Sequence, residues 1–297
     1  MKNQNKAYLF GISAVLIWST VASAFKISLT YLNPIQLLLY ASAASLLALF
    51  AIIMSQGKLN LILKTNKKDV LICSLLGVLN PFIYYIILFK AYDLLPAQEA
   101  QSLNYTWAIT LSILSIPLLK QKMSLKELLA IMVCYLGVLV ISTKGEITKM
   151  EFANTTGVVF ALLSTLIWSL YWIYNTKSKA DPIVGLFISF CAALPLIFIS
   201  TLIWSELPPV NLKAIAGACY VGLFEMGITF VLWLNALKLT EKASRVSNLI
   251  FLSPFISLIL IHFIVGEKIL VSTIIGLMLI IAGNVIQILG KKSKKAY

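Results

Sequence analysis

Charge is what this chain has least of. Only 12% of its 297 residues are Asp, Glu, Lys or Arg, where soluble domains carry about one quarter. Eleven acidic residues and a single histidine, His262, are too few and too scattered for the convergent acid/base or metal-binding clusters that hydrolytic chemistry needs. The four cysteines, Cys73, Cys134, Cys191 and Cys219, fall inside apolar runs without metal-like spacing and are expected to be packing residues. No G-x-x-x-x-G-K-[ST] phosphate loop occurs, which disfavours a pump driven by its own ATP hydrolysis. No cofactor, metal or catalytic residue is expected, and the chain is not read as an enzyme.

What remains is apolar. Sixty per cent of the residues are hydrophobic and the mean hydropathy is +0.94, so the solvent of this chain is a lipid bilayer. The apolar runs are continuous, unlike the short alternating segments of a membrane barrel, and each approaches the ~20 residues that a helix needs to cross a hydrocarbon core. They predict ten spans: Tyr8 to Ile27, Pro34 to Met54, Val70 to Ala91, Ala97 to Leu119 and Leu125 to Thr143, then Gly157 to Thr176, Ile183 to Trp204, Ile215 to Leu237, Ala243 to Val265 and Ile269 to Leu289. The fold expected is all-α and polytopic.

The formal net charge of +13 could suggest nucleic acid, but its placement argues against that partner. With the N-terminus inside, every Lys and Arg except Lys26, Lys90, Lys144, Lys149, Lys213 and Lys268 falls on the inner side. That asymmetry follows the positive-inside rule with both termini cytoplasmic. Lys2, Lys6 and Ala22-Ser23-Ala24 imitate a cleavable signal peptide. Cleavage is not expected, because the first span has a counterpart later in the chain.

The sequence aligns on itself at a shift near 145 to 150 residues. Ile17-Trp18-Ser19 answers Ile167-Trp168-Ser169, Asn33-Pro34-Ile35 answers Asp181-Pro182-Ile183, Gly77 answers Gly222 and Ala91 answers Ala236. Gln121-Lys122-Met123 likewise answers Glu267-Lys268-Ile269, and Gly137 answers Gly283. Five spans is an odd number, so a second copy of the unit enters the membrane from the opposite side. The organisation expected is a first repeat over 1–143, a linker over 144–156, an inverted second repeat over 157–290 and a basic tail over 291–297. Inverted repeats favour a solute site near the bilayer midplane between the halves.

These residues carry a family resemblance. The doubled Ile-Trp-Ser and Asn/Asp-Pro-Ile segments, Lys90-Ala91-Tyr92, Ser253-Pro254, Gly266-Glu267 and the glycines of the last span resemble the drug/metabolite transporter superfamily, in its EamA-type branch, over essentially the whole chain. Asn104-Tyr105-Thr106-Trp107 is similar to the Asn-Tyr-x-Trp-Pro stretch of the bacterial aromatic-amino-acid exporters of that branch, and Ile167-Trp168 with Tyr171 to their sixth helix. This chain has Ala108 where those exporters have proline, a change expected to straighten the fourth helix. The resemblance implies a secondary transporter in the bacterial cytoplasmic membrane, exporting an amino acid or related compound.

Polar residues inside a span point toward partners or a water-filled path. In the third span Gly77, Asn80, Tyr84 and Ala91 share a face at helical spacing, and Gly222, Glu225, Thr229 and Ala236 repeat it in the eighth. The fourth contributes Gln101, Asn104, Tyr105, Ala108, Ser112 and Ser115, and the ninth Ser244, Ser247 and Asn248. Trp18 and Trp168 lie mid-span, away from the interfacial depth tryptophan prefers, where they line a cavity or fill the interface between halves. The solute site expected is thus Trp18, Asn80, Tyr84, Gln101, Asn104, Tyr105, Trp168, Glu225, Thr229 and Asn248.

Glu225 is the acidic residue expected deepest in the membrane. A charge there costs about 2.5–3.5 kcal/mol on insertion scales, so it is a proton-coupling group or a partner for a substrate ammonium, or else a protonated carboxyl hydrogen-bonded to a neighbouring helix. Gly276, Gly283 and Gly290, with Ala130 and Gly137 matching, predict a close-packed seam, open equally to a homodimer partner. Two other classes stay in view: a membrane-embedded enzyme on lipid-linked substrates, and a non-transporting subunit.

Overall fold

A computed structural model describes residues 3–120, 125–147, 154–175, 178–208, 210–240, 246 and 248–293. Its described residues are helices and turns, with no strand among them. In chain order they are α1 (Gln4–Ser28), α2 (Pro34–Ser55), a short α3 (Leu59–Lys64), α4 (Lys67–Gly77), α5 (Tyr84–Leu94), α6 (Ala97–Asn104), α7 (Trp107–Leu119), α8 (Leu125–Ser142), α9 (Thr155–Asn175), α10 (Pro182–Trp204), α11 (Leu212–Phe224), α12 (Ile228–Leu239), α13 (Ser253–Leu260) and α14 (Val271–Ser293). Six helical stretches among the described residues are long and apolar enough to cross a membrane, namely Gln4–Ser28, Pro34–Ser55, Lys67–Leu94, Thr155–Asn175, Pro182–Trp204 and Leu212–Leu239. Large apolar side chains such as Leu9, Leu47, Ile203 and Trp204 face outward, as expected of a surface solvated by lipid. The chain is a multi-span membrane protein.

The helix starts follow from local chemistry. Asn33 accepts from the Gln36 amide while the Gln36 side chain accepts from the Asn33 amide, and Pro34 fills the first helical position, where its missing N–H costs nothing. Asp181-Pro182 repeats half of the device, with Asp181 accepting from the amides of Ile183 and Val184. Both paired motifs therefore start a helix with a side-chain cap and a first-turn proline, but the reciprocal bond is made only in the first, since Val184 stands where Gln36 does. Lys58 Nζ reaches Asp181 at 2.9 Å, tying the loop after α2 to the start of α10.

Three of the predicted spans are interrupted. Between α4 and α5 a π-helical stretch, Val78–Ile83, holds Asn80 at φ −143°, ψ 115°, next to Pro81, which has no N–H for the ladder. The eighth span breaks at Glu225–Gly227, between α11 and α12. The fourth breaks at Tyr105–Thr106, where Thr106 N bonds the Leu103 carbonyl three residues back. The straighter fourth helix expected from Ala108 is thus not observed: the tightened ladder at Thr106 turns the chain without a proline at position 108.

Small residues set the packing. A Cβ on Gly77 would stand 2.3 Å from the Ser189 carbonyl oxygen of α10, and one on Gly222 would stand 2.2 Å from that of Ala41 in α2. The glycine seam lies between α8 and α14 of the same chain, where a Cβ on Gly137 would meet the Gly276 carbonyl at 2.5 Å and one on Gly283 that of Ala130 at 2.7 Å. α1 runs beside α11, α12 and α13, while α9 packs on α5 and α7. These helices surround the centre of the bundle.

Candidate functional site

A cavity of about 630 Å³ opens among α1, α5, α6, α7, α9, α12 and α14 and the break at Glu225. That volume falls within the roughly 300–1,000 Å³ of small-molecule pockets. Its lining includes seven of the ten residues singled out above: Trp18, Tyr84, Gln101, Asn104, Tyr105, Trp168 and Glu225.

The helix breaks explain how Glu225 reaches this space. Its backbone N–H still bonds the Val221 carbonyl, four residues back. Beyond it Gly227 adopts φ −117°, ψ −93°, outside helical geometry, so the side chain leaves a turn instead of a helix wall. The Tyr85 hydroxyl donates to Glu225 Oε1 at 3.1 Å across from α5. Glu225 is only half-buried, so its carboxylate belongs to the cavity as well as to Tyr85. Glu99, in the first turn of α6, is 1% exposed and does not line the cavity.

Aromatic rings form a continuous wall. Trp233 lies 5.5 Å from Trp18 between ring centroids, Trp18 meets Phe230 edge-on at 5.7 Å, and Phe230 stands 6.2 Å from Trp168. Trp168 then stacks on Tyr84 at 4.7 Å, and Tyr84 packs against Tyr85, which bonds Glu225. Trp107 and Trp172 also line the cavity. Sequence reasoning missed Trp172, Phe230 and Trp233 as wall residues, although the spacings Trp168 to Trp172 and Phe230 to Trp233 place each pair on one helical face.

The polar groups include three amides beside tyrosine and serine hydroxyls. Asn104 donates to Ser164 Oγ at 2.9 Å. Asn284 donates to the Tyr105 carbonyl at 3.2 Å, while its side-chain oxygen and that of Gln101 are buried without a partner. Asn284 was not singled out in the sequence, although it is a polar residue inside the apolar run of α14. Among the described lining residues Glu225 is the one acidic or basic side chain.

Asn80 and Thr229 lie away from this lining. Asn80, 1% exposed, sits in the break before α5 and faces the Tyr171 hydroxyl. Thr229 is fully buried and returns its hydroxyl proton to the Phe224 carbonyl across the break. Asn248 lies in a 3₁₀ turn, Asn248–Leu252, but its side chain is outside the described residues, as are Ser244 and Ser247.

Hydrogen bonds join the start of α6 to the segment before α14. Glu267 accepts from the first amides of α6, Ala97 N at 2.7 Å and Gln98 N at 3.2 Å, placing a carboxylate on a helix N-terminus. Gln98 answers by donating to the Lys268 carbonyl and accepting from Leu270 N. Lys26 Nζ bonds the carbonyls of Tyr92 and Leu95 at 2.8 Å each, at the end of α5. His262 Nδ1 lies 2.9 Å from the Glu267 carbonyl.

Comparison with known proteins agrees with this architecture. A model of the EamA-like transporter family matches the chain twice, over residues 5–143 and 155–289. An uncharacterized transporter of Clostridium kluyveri is 24% identical over 291 residues, covering 95% of this chain and 92% of the relative. One of Archaeoglobus fulgidus is 26% identical over 279 residues, covering 91% and 94%. The uncharacterized transporter YoaV of Bacillus subtilis is 25% identical over 284 residues, covering 94% and 95%. A solved crystal structure superposes with a TM-score of 0.68 over 99% of this chain and 100% of its own at 18% identity, which speaks for the fold alone.

Proposed function

The chain belongs to the EamA-like transporter family, a membrane transporter and not an enzyme, and from that premise we propose that it exports a small organic metabolite, an amino acid or related amine, across the bacterial cytoplasmic membrane by alternating access. The observation that carries this reading is the central cavity, which draws its wall from both matched segments: Trp18, Tyr84 and Asn104 come from the first, and Trp168, Glu225 and Asn284 from the second.

In this reading the two segments are five-span repeats of opposite orientation, 1–143 and 157–290, with both termini cytoplasmic. The doubled Asn/Asp-Pro cap, the breaks at Asn80 and Glu225 and the reciprocal contacts of Gly77 with α10 and Gly222 with α2 support it. Rocking one repeat against the other would expose the cavity to each side in turn. Glu225, facing a pocket walled by rings, is suited to exchange a proton for a cationic solute, which makes the cycle proton-coupled.

The test is purified protein in liposomes, assayed with labelled amino acids and amines with and without a pH gradient. Accumulation that requires both the protein and the gradient is expected. Flux equal to that of empty liposomes for every solute would contradict the proposal.

A further inference from the structure

The connection between α2 and α4 holds a helix with almost nothing to bury. α3, Leu59–Lys64, has six residues and none of them is buried; at about 1.5 Å per residue it reaches about 9 Å, far short of a bilayer. Of its side chains Ile62 packs against the core. Leu59 and Leu63, one turn apart on one face, stay exposed, Leu63 at 85%. Lys64 ends this helix, and Lys67 and Lys68 open α4. All three lysines are exposed, as is Lys179.

The corner is fixed on both sides of α3. Just before it, Lys58 Nζ bonds Asp181 at 2.9 Å. Just after it, Asn66 caps α4 and its Nδ2 donates to Asp69 Oδ2, while Asp69 Oδ1 takes the Lys179 backbone N–H at 3.0 Å. Asp69 and Asp181 are thus both engaged in internal bonds. Neither ion pair among the described residues, Lys58–Asp181 or Lys90–Asp93, uses Lys64, Lys67, Lys68 or Lys179. Four lysines beside two outward leucines are what this corner presents.

We infer that α3 lies along the bilayer boundary and docks this corner on anionic phospholipid headgroups. Leu59 and Leu63 enter the acyl edge, and Lys64, Lys67, Lys68 and Lys179 meet the phosphates. Leucines on one face with lysines beside them are the pattern of a helix lying in an interface, and lysines near an anionic leaflet are drawn to it within about a Debye length. A soluble acidic partner would find the same lysines, but leucines between two membrane spans already stand beside lipid. The inference is independent of which solute the cavity takes.

The test uses the full chain with its four cysteines replaced by Ala and Leu63→Cys carrying a polarity-sensitive fluorophore. It is placed in nanodiscs of phosphatidylcholine alone or of an equimolar mixture with phosphatidylglycerol. Emission shifted to the blue in the mixed discs is expected. The shift should vanish in the triple variant Lys64→Gln, Lys67→Gln, Lys68→Gln. It should persist in the charge-matched variant Lys90→Gln, Lys144→Gln, Lys213→Gln, whose lysines lie near Asp93, Glu99 and Tyr31, away from this corner. Salt at about 1 M, where the Debye length is about 3 Å, should shrink it. The unlabelled native chain gives a second reading: its thermal midpoint should be higher in the mixed discs, by a margin that the first triple variant loses and the second keeps. Equal emission in the two discs, or equal midpoints where the labelled chain does not fold, overturns the inference. So does a shift that survives loss of the three lysines, or one that inorganic phosphate or a soluble acidic peptide reproduces in phosphatidylcholine discs.

Discussion

Asn80 and Glu225 occupy the same point of two interrupted helices, one between α4 and α5, the other between α11 and α12. Asn80 leaves helical geometry at φ −143°, ψ 115°, and Glu225 opens the turn that ends at Gly227. Their fates differ because their chemistry does. Asn80 is 1% exposed and turned toward Tyr171, whereas Glu225 keeps a face on the cavity and takes a hydrogen bond from Tyr85. A carboxylate placed where the ladder is already broken can face a solute without disrupting a helix.

The first consequence concerns coupling. Glu225→Gln keeps the shape and the Tyr85 contact but cannot carry a proton. Solute flux in liposomes should lose its response to an imposed pH gradient and fall at least about tenfold, a loss of about 1.4 kcal/mol in transition-state stabilisation. Unchanged flux with an unchanged gradient response would remove Glu225 from the mechanism.

Trp18 stands at the joint of the aromatic wall, touching both Phe230 and Trp233. Trp18→Ala should weaken binding of a transported amine by about 0.5–2 kcal/mol, the range of a cation–π contact. Trp18→Phe should recover part of it. Calorimetric titration of the two variants checks both.

Gly222 touches the α2 backbone so closely that a single methyl stands 2.2 Å from the Ala41 carbonyl. Backbone cannot swing aside as a side chain can, so Gly222→Ala should destabilise the protein by about 1–3 kcal/mol. The thermal midpoint in detergent should drop, whereas Gly57→Ala, beside which no atom lies within 4 Å but whose φ is +65°, tests backbone strain without contact.

Acid sensitivity should appear at the Lys58–Asp181 bridge. Burial pushes the Asp181 carboxyl up, but the Lys58 ammonium and the amides of Val184 and Ile183 outweigh it and hold it below the usual carboxylate range. The stabilisation is therefore complete above that usual range and is lost as pH falls through the lowered value. For a pair whose side chains are 26% and 24% exposed it amounts to at most about 1 kcal/mol. Thermal melts across the acid range should show Asp181→Asn less stable than the native chain at neutral pH, with the difference closing in acid.

The sequence carried the class of fold well, because lipid solvation writes itself into every span as length and apolarity. Its cap motifs were also legible: Asn33-Pro34 and Asp181-Pro182 need only local chemistry. The central carboxylate and the two mid-span tryptophans could be found because a polar or amphipathic group deep in an apolar run requires a reason. Asn284 and Trp233 were missed although the same reasoning and the Phe230–Trp233 spacing mark them, because which face of α14 and α12 meets the cavity depends on distant helices. The clasp of Glu267 on α6 was equally hidden, because it joins residues about 170 positions apart through backbone amides that any sequence possesses. Thr229 shows the reverse case: helical spacing placed it on the Glu225 face, but the break at Gly227 turned its hydroxyl back onto Phe224.

The central claim is that one polar cavity, with Ala108 on its wall, is reached from both sides of the membrane. The direct test introduces Ala108→Cys into a chain whose Cys73, Cys134, Cys191 and Cys219 are replaced by Ala. A membrane-impermeant thiol reagent is then applied to either face of reconstituted vesicles, with and without bound amine. Labelling from both faces, slowed by the amine on each, is the result predicted. Labelling from neither face, or from one face alone under every condition, would contradict alternating access through this cavity.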